Sequence, residues 1–197
     1  MKSYTFSIHS ILFVILFCFL PVQGLTGARE LSGTPGDVRI SSLEAKQHLE
    51  GGRKLELQSN LSGAIASYSK AATLAPNSPD IHFALGEALV KANRLQEALV
   101  RFTLAVTIAP DHRKALSARA QLCLRLKLYA QARKDLTQLI ELVPGVADYH
   151  YQRATTLMKM KSMTEAYRDF LRAHELDGKY PRPSLIWKNE TVATKIA

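Results

Sequence analysis

Cysteine, tryptophan and glycine are scarce in this chain of 197 residues, which has two cysteines, one tryptophan and ten glycines. Cys18 lies in an apolar segment near the amino terminus, so Cys123 is the one cysteine in the rest of the chain. Removal of that segment would exclude an intramolecular disulfide, and the fold must then depend on packing. We predict that Cys123 is a small buried apolar residue, the alternative being a pairing or redox-active thiol.

The sequence also lacks the motifs that are typical of catalytic and metal sites. It has no nucleophile motif, phosphate-binding loop or zinc-ligand spacing, so we expect no enzyme activity, no cofactor and no metal. Gly51 and Gly52 lie within a helical pattern and lack the further glycines of a phosphate loop. Asp111 and His112 resemble a catalytic pair only because they are adjacent, and their place before a predicted helix favours a capping role.

Positive charge predominates, but no long basic run is present. Lys and Arg number 26 against 17 Asp and Glu, which gives a formal net charge of +9. Such a balance can indicate a nucleic-acid partner. The densest basic segment, from Arg113 to Lys134, interleaves its charges with Ala and Leu at helical spacing. This pattern is typical of a solvated helix face, so we expect no nucleic-acid partner.

The one long hydrophobic run is at the amino terminus, where residues 1–24 have the features of a secretory signal peptide. Lys2 precedes an apolar run over residues 11–20, and Pro21 then breaks the helical pattern. Small residues favour cleavage after Gly24. The run is shorter than the roughly 20 residues of a membrane-spanning helix, which favours a cleaved signal peptide. An uncleaved anchor is the alternative. We expect no other contact with a membrane.

Two N-glycosylation motifs fit a secretory chain. Asn60-Leu61-Ser62 and Asn189-Glu190-Thr191 both match Asn-x-Ser/Thr, and Asn60 falls in a predicted turn between two helices. We therefore predict that the protein resides in the ER lumen, with secretion as the alternative, and that Asn60 and Asn189 are candidate glycosylation sites. The carboxyl-terminal residues do not form a retention signal that would separate the two destinations.

An internal repeat with a period of about 34 residues organises the rest of the chain. Pro76, Pro110 and Pro144 are equally spaced at this period, and each ends a similar segment. If each proline is position 32, four repeats fill an array over residues 43–180, with repeats at 45–78, 79–112, 113–146 and 147–180. A flexible leader is predicted for residues 25–42, and a tail for residues 181–197.

Equivalent positions of the four repeats carry similar side chains. Positions 8 and 20 are small, which allows two helices to approach closely, and position 24 is a large apolar residue that fills the space between repeats. The residues are Gly52, Gly86, Ala120 and Ala154 at position 8, and Ala64, Ala98, Ala132 and Ala166 at position 20; position 24 is Tyr68, Phe102, Leu136 and Phe170. This pattern resembles the tetratricopeptide repeat (TPR). It predicts an all-α fold of four helix–turn–helix repeats stacked into a right-handed superhelical solenoid.

Several polar residues bear on the helix boundaries. Ser41 with Glu44 has the spacing of a capping box for the first helix, Ser78 precedes Pro79 at the start of the third, and Asp111 is a suitable cap for the fifth. Arg119 and Arg153 depart from the pattern, because both occupy position 7, where an apolar residue is usual.

Three histidines share position 4 of their repeats: His48, His82 and His150. Equivalent positions on stacked helices are roughly 8–10 Å apart, which is too far for these histidines to bind one zinc ion together. We therefore predict that these side chains have packing roles.

The first helices of successive TPR repeats line an inner groove, and apolar side chains recur at positions 5, 12 and 13 on this predicted face. If exposed, they would bind apolar segments of a partner; the alternative is that they are core residues. A carboxylate-binding clamp is disfavoured, because only Lys114 matches its pattern. The predicted groove residues are Leu49, Leu57, Phe83, Val90, Leu124, Tyr151 and Met158.

Two segments, Glu44 to Ala71 and Ala118 to Gly145, resemble the amino-terminal repeats of the ER-lumenal DnaJ subfamily C member 3 co-chaperones. The resemblance covers residues 43–180. It implies a module that binds unfolded or misfolded polypeptides through an apolar groove, with lumenal Hsp70 or its clients as further partners. The J-domain motif His-Pro-Asp is absent, which favours a truncated or alternative form that holds clients without stimulating Hsp70. A scaffold that assembles a specific complex in the secretory pathway is the alternative function.

Overall fold

The computed structural model describes the backbone of residues 35–183 and the side chains of residues 41–183. The predicted signal peptide, Asn189 and most of the predicted tail lie outside these ranges. The described residues belong to two units, which meet between residues 37 and 38. Only the start of one helix is described in the first unit, and the second unit contains the repeats.

The described residues form eight α-helices and no strand, in agreement with the predicted all-α fold. They alternate as first and second helices of four pairs. From the second helix onward each helix packs against the next along the chain, and the Ser67 hydroxyl of the second helix donates to the His48 carbonyl of the first. The first helices of the second, third and fourth pairs begin at equal intervals, which match the spacing of the three prolines. The helices are α1 (Pro35–Leu57), α2 (Leu61–Leu74), α3 (Pro79–Lys91), α4 (Leu95–Ile108), α5 (Arg113–Arg125), α6 (Tyr129–Leu142), α7 (Ala147–Lys159) and α8 (Met163–Leu176).

Two helix starts differ from the sequence-based predictions. Helix α1 begins at Pro35, inside the predicted leader, so Ser41 lies within the helix and the predicted capping box is wrong. Proline at a first helical position is favourable, because its fixed φ suits a helix and its missing N–H needs no partner. The predicted cap at Asp111 is also wrong: His112 caps α5 instead, and its Nδ1 accepts a hydrogen bond of 3.1 Å from the Ala115 N–H.

The turn inside every helix pair has the same backbone geometry. One residue per turn has a positive φ between 57° and 63°: Ser59, Asn93, Lys127 and Lys161. The next N–H then donates back to the carbonyl five residues earlier, as from Arg94 to Leu89 at 2.9 Å. This arrangement satisfies carbonyls that the end of the first helix would otherwise leave without partners.

A large side chain at position 24 packs over a small residue at position 8 of the same repeat. A Cβ added at Gly52 would lie 2.4 Å from Tyr68 Cε1, and one added at Gly86 would lie 2.5 Å from Phe102 Cε1. Both rings are 1% exposed. The glycines therefore let the rings of the second helices lie directly against the backbones of the first helices.

Polar side chains satisfy the carbonyl of each repeat-ending proline. His82 Nε2 donates to the Pro76 carbonyl at 2.8 Å, and His150 Nε2 donates to the Pro144 carbonyl at 3.1 Å. The third repeat has no histidine at this position, and Gln138 Nε2 donates to the Pro110 carbonyl at 2.7 Å. Two of the position-4 histidines thus fix the connections between repeats. His48, the third, is half-buried, and its backbone carbonyl accepts a hydrogen bond from Ser67.

The two unusual arginines at position 7 each bind an aspartate at position 23 of the same repeat. Arg119 Nη2 donates to Asp135 Oδ1 at 2.7 Å, and Asp135 is fully buried. Arg153 binds Asp169 through two nitrogens, at 2.6 and 2.7 Å. Such pairs add little net stability relative to apolar neighbours, but loss of one partner leaves an unpaired buried charge that costs about 3–5 kcal/mol.

The core runs along the array as successive clusters of buried apolar side chains. Cys123 is fully buried, which confirms the predicted structural role, and burial raises its thiol pKa to about 11. Few thiols are ionised at neutral pH with such a pKa, so Cys123 is a poor nucleophile. No helix in the described ranges combines the length and apolar character needed to cross a membrane.

We expect Gly86→Ala to destabilise the protein by about 1–2 kcal/mol, because overpacking against the Phe102 ring outweighs the gain in helix propensity. Phe102→Leu should rescue part of this loss, since the third repeat combines Ala120 with Leu136 at the same positions. Urea unfolding of the two single variants and the double variant measures the coupling, which should exceed about 0.5 kcal/mol. Additive effects of the two substitutions, or a Gly86→Ala variant as stable as the wild type, would contradict this packing, because they would show that the Phe102 ring moves freely.

Candidate functional site

The first helices of the four pairs, α1, α3, α5 and α7, present the surface that we call the A face. Its burial pattern is regular, because positions 5 and 12 are half-buried in all four repeats and positions 2 and 13 are exposed. Side chains at positions 5 and 12 therefore contact the core with one edge and are accessible at the other. The predicted groove residues all lie on these helices.

Six of the seven predicted groove residues are half-buried. Each of these six side chains is partly packed in the core and partly accessible at the surface, so neither sequence-based alternative, groove or core, describes it fully. The Phe83 ring lies 6.0 Å from Phe102 and 5.5 Å from His112, measured between ring centroids. Leu49 and Val90 pack against the core of the first two repeats, whereas Tyr151 and Met158 pack against that of the fourth.

Leu57 is different from the other six, because it is 87% exposed at the end of α1. Five of the seven residues line neither of the A-face clefts described below: Leu49, Leu57, Leu124, Tyr151 and Met158. The structure therefore places Phe83 and Val90 at these clefts and the other five residues outside them.

Two adjoining clefts occupy the middle of the A face, between α3 and α5. The larger cleft, of about 560 Å³, is lined by Phe83. The smaller cleft, of about 190 Å³, is lined by Val90, Phe102 and Leu122. Seven residues separate Phe83 from Val90, which corresponds to about 10 Å along a helix. Both clefts are lined by Glu87, Ala118 and Gln121.

Basic side chains outnumber acidic ones around these clefts. Arg113 and Lys114 line the larger cleft, and Lys91 and Arg125 line the smaller one. Glu87 is the one acidic residue lining either cleft, and its pKa is raised by burial, although Lys91 and Lys114 act in the opposite direction. The middle of the A face thus combines an apolar floor with a net positive rim.

A hydrogen-bonded group joins the first two repeats at one edge of the A face. Glu56 on α1 accepts from the Tyr68 hydroxyl at 2.8 Å and from Lys91 Nζ, on α3, at 2.6 Å. Burial raises the pKa of Glu56, but these hydrogen bonds outweigh it and leave the pKa below its ordinary value. The position-24 tyrosine therefore supports both the core and the polar edge of the face.

At the other end of the array, Tyr180 covers part of Tyr151. The two ring centroids are 4.8 Å apart, and the Tyr180 hydroxyl donates to Asp148 Oδ1 at 3.2 Å. Tyr151 also contacts Phe170 edge-on, with centroids 5.3 Å apart. Tyr151 is consequently enclosed by two rings, and less of its surface is available to a partner than the sequence predicts.

The sequence-based prediction missed the polar side chains that line the clefts, because it selected apolar residues only. Glu87 and Gln121 share position 9, which faces the groove in TPR arrays, so the repeat register could have identified them. Tyr180 lies after the last helix, where the repeat pattern carries no comparable signal.

The side chains of residues 41–183 contain no group of three or more His, Cys, Asp or Glu that could hold a metal ion. The A face instead offers apolar edges, hydrogen-bonding groups and positive charge over an extended cleft. Such a surface is suited to binding a polypeptide segment.

Glu56 and Glu87 should have opposite effects on stability as the pH changes. A carboxyl group with a lowered pKa stabilises the fold above its ordinary pKa, and this contribution is lost on acidification; a raised pKa has the reverse effect. We expect Glu56→Gln to cost about 1 kcal/mol at pH 7, with the difference from wild type shrinking towards about pH 3. Urea titrations at both pH values measure this difference.

Glu87→Gln is the matched control, because this residue lies on the same face and loses the same charge. The variant should equal or exceed wild-type stability at pH 7, and its advantage should vanish in acid, where Glu87 is protonated. Parallel pH dependence of the two variants would contradict the opposite environments seen in the structure.

Comparisons with known proteins agree with this architecture. The sequence profile for the tetratricopeptide repeat matches residues 55–122. A search of curated protein sequences found no match.

Three solved structures with similar folds are distant from this chain in sequence. MamA from Desulfovibrio magneticus is 19% identical with a TM-score of 0.64, covering 69% of this chain and 77% of MamA. YrrB, described as a TPR protein with an unusual peptide-binding site, is 19% identical with a TM-score of 0.63, covering 73% of this chain and 74% of YrrB. The first TPR domain of Spaghetti, bound to an HSP90 peptide, is 23% identical with a TM-score of 0.55, covering 61% and 98%.

At these identities the likeness shows the fold alone. Together with the profile match and the four helix pairs, it leads to one conclusion. The described part of the chain has the fold of a tetratricopeptide-repeat solenoid, and residues 55–122 match the profile of that repeat.

Proposed function

We propose that the protein binds exposed segments of unfolded or misfolded polypeptides through the A face, as a holding module in the ER lumen. The observation that carries this proposal is the pair of adjoining clefts between α3 and α5, with Phe83 and Val90 at their floors. An extended segment could place one apolar side chain in each cleft, about 10 Å apart.

The positive rim predicts a preference for segments that carry acidic residues. Arg113, Lys114 and Arg125 are exposed at the clefts. Segments that carry Asp or Glu beside an apolar residue would complement both the floor and the rim. Tetratricopeptide-repeat solenoids present extended concave surfaces to protein partners, and the peptide sites described for YrrB and Spaghetti are consistent with this use of the fold.

The signal-peptide features of residues 1–24 and the resemblance to the lumenal DnaJ co-chaperones support the proposed location in the ER. Lumenal Hsp70 or its clients would be the partners in that compartment. The activity proposed for these repeats is the holding of clients.

A second candidate is a scaffold that assembles one specific complex in the secretory pathway. The uneven charge around the clefts favours it, because fixed charges specify orientation and partner more than they add affinity. The two candidates differ in whether binding depends on the folded state of the partner.

Binding of the purified protein to one model polypeptide, offered native and then reduced and alkylated so that it stays unfolded, separates the candidates. We expect the unfolded form to bind at least tenfold more tightly, a difference of about 1.4 kcal/mol. Phe83→Ser with Val90→Ser should abolish this preference, because it removes the apolar floor of both clefts. Gln121→Trp should also weaken binding, because Gln121 is exposed in both clefts and its replacement leaves the core intact.

The matched control is Val100→Ser with Leu104→Ser, which removes two exposed apolar side chains from α4, outside the A face. This variant should bind like the wild type, and circular dichroism should show all variants folded. Equal binding of the native and unfolded forms would reject client holding and favour the scaffold.

A further inference from the structure

The Asn-x-Ser motif at residues 60–62 lies at the exposed turn between α1 and α2. Asn60 is the residue that caps α2, and it follows Ser59, whose φ of 60° reverses the chain. Asn60 and Ser62 are both exposed. The motif is therefore at the surface of the folded array, in the one inter-helix turn of the described repeats whose sequence matches it.

The two polar atoms of the Asn60 side chain have different surroundings. Its Oδ1 accepts hydrogen bonds from the Gly63 N–H at 3.0 Å and from the Ser62 hydroxyl at 3.3 Å. Over residues 41–183, no hydrogen bond to a protein group uses Nδ2. The cap thus depends on the oxygen, and the nitrogen is left for another role.

Gly63 keeps the space beside the Asn60 side-chain amide open. A Cβ at position 63 would lie 2.9 Å from Asn60 Nδ2, which is closer than side-chain carbons approach in folded proteins. Gly63 has an ordinary helical backbone, so a left-handed conformation does not account for a glycine here. The glycine relieves crowding at the amide.

We propose that Asn60 is a site of N-linked glycosylation. This inference rests on the proposed translocation of the chain into the ER. In the transfer, Asn60 Nδ2 attacks C1 of a lipid-linked oligosaccharide diphosphate; the N–C1 bond forms, the C1–O bond breaks, the diphosphate leaves with its lipid, and Nδ2 gives up one proton to a base of the transferase. No oxidant or reductant is required.

The modification is compatible with both the fold and the proposed binding surface. The linkage retains the Cγ=Oδ1 carbonyl, so the glycosylated side chain still caps α2. The A-face clefts are lined by residues of α3, α4, α5 and α7, and none comes from the turn at residues 58–60. A glycan at Asn60 therefore modifies none of the residues that line these clefts.

Translation of the full chain in the presence of ER microsomes tests the proposal, with removal of N-glycans by a peptide-N-glycosidase in ¹⁸O water. We expect a glycosidase-sensitive shift in mobility and ¹⁸O-labelled aspartate at position 60. Asn60→Asp should lose the shift while keeping the cap, because Asp and Asn are equally good caps. Ser62→Ala should also lose it, and Asn189→Gln should keep the label at position 60.

Protection of the chain from added protease distinguishes failure of the glycosylation site from failure of translocation into the ER. A chain that is protected inside the microsomes but carries no label at position 60 overturns the glycosylation site and leaves the proposed function standing. A chain that remains accessible to protease and unlabelled overturns both the site and the proposed ER location. Unglycosylated Asn60→Asp and Ser62→Ala should melt within about 1 °C of the unglycosylated wild type, which shows that the variants report on the motif and not on folding.

Discussion

The structure depends on the close approach of two helices within each repeat. Position 24 places a large side chain directly against the backbone of the first helix, and only a small residue at position 8 leaves room for it, as at Gly86 under Phe102. This contact fixes the helix pair, and the pair then exposes an apolar side that the next repeat must bury. This packing sets the direction in which the repeats stack. The first helices of the four repeats therefore lie on the same side of the array, where they form the A face.

The architecture could be predicted from the sequence because it depends on side-chain volumes that recur at equal intervals along the chain. Features that depend on pairing between particular polar groups were harder to foresee. Arg119 looked anomalous by itself, although Arg at position 7 and Asp at position 23 occur together in the third and fourth repeats and are both missing from the first two. That internal covariation was the available signal. The start of α1 and the contact of Tyr180 with Tyr151 lie where the repeat no longer constrains the chain.

The candidate site could be predicted in outline for the same reason. The repeat register placed Phe83 and Val90 on the first helix of the second repeat, where the structure has them, but it could not give the fraction of each side chain that the core covers. Half-burial has a functional consequence, because these residues stabilise the array and present an apolar edge at once. Substitutions there change folding and binding together, whereas exposed cleft residues such as Gln121 affect the surface alone.

Binding at the A face is the central claim, and site-specific photo-crosslinking tests it most directly. A photo-reactive amino acid would replace either Gln121, exposed in both clefts, or Val100, which is 57% exposed on α4 and outside the A face. With an unfolded polypeptide as the partner, we predict efficient crosslinks from position 121 and background levels from position 100. Crosslinks of equal yield from both positions, or from position 100 alone, would contradict the assignment of the binding surface to the first helices.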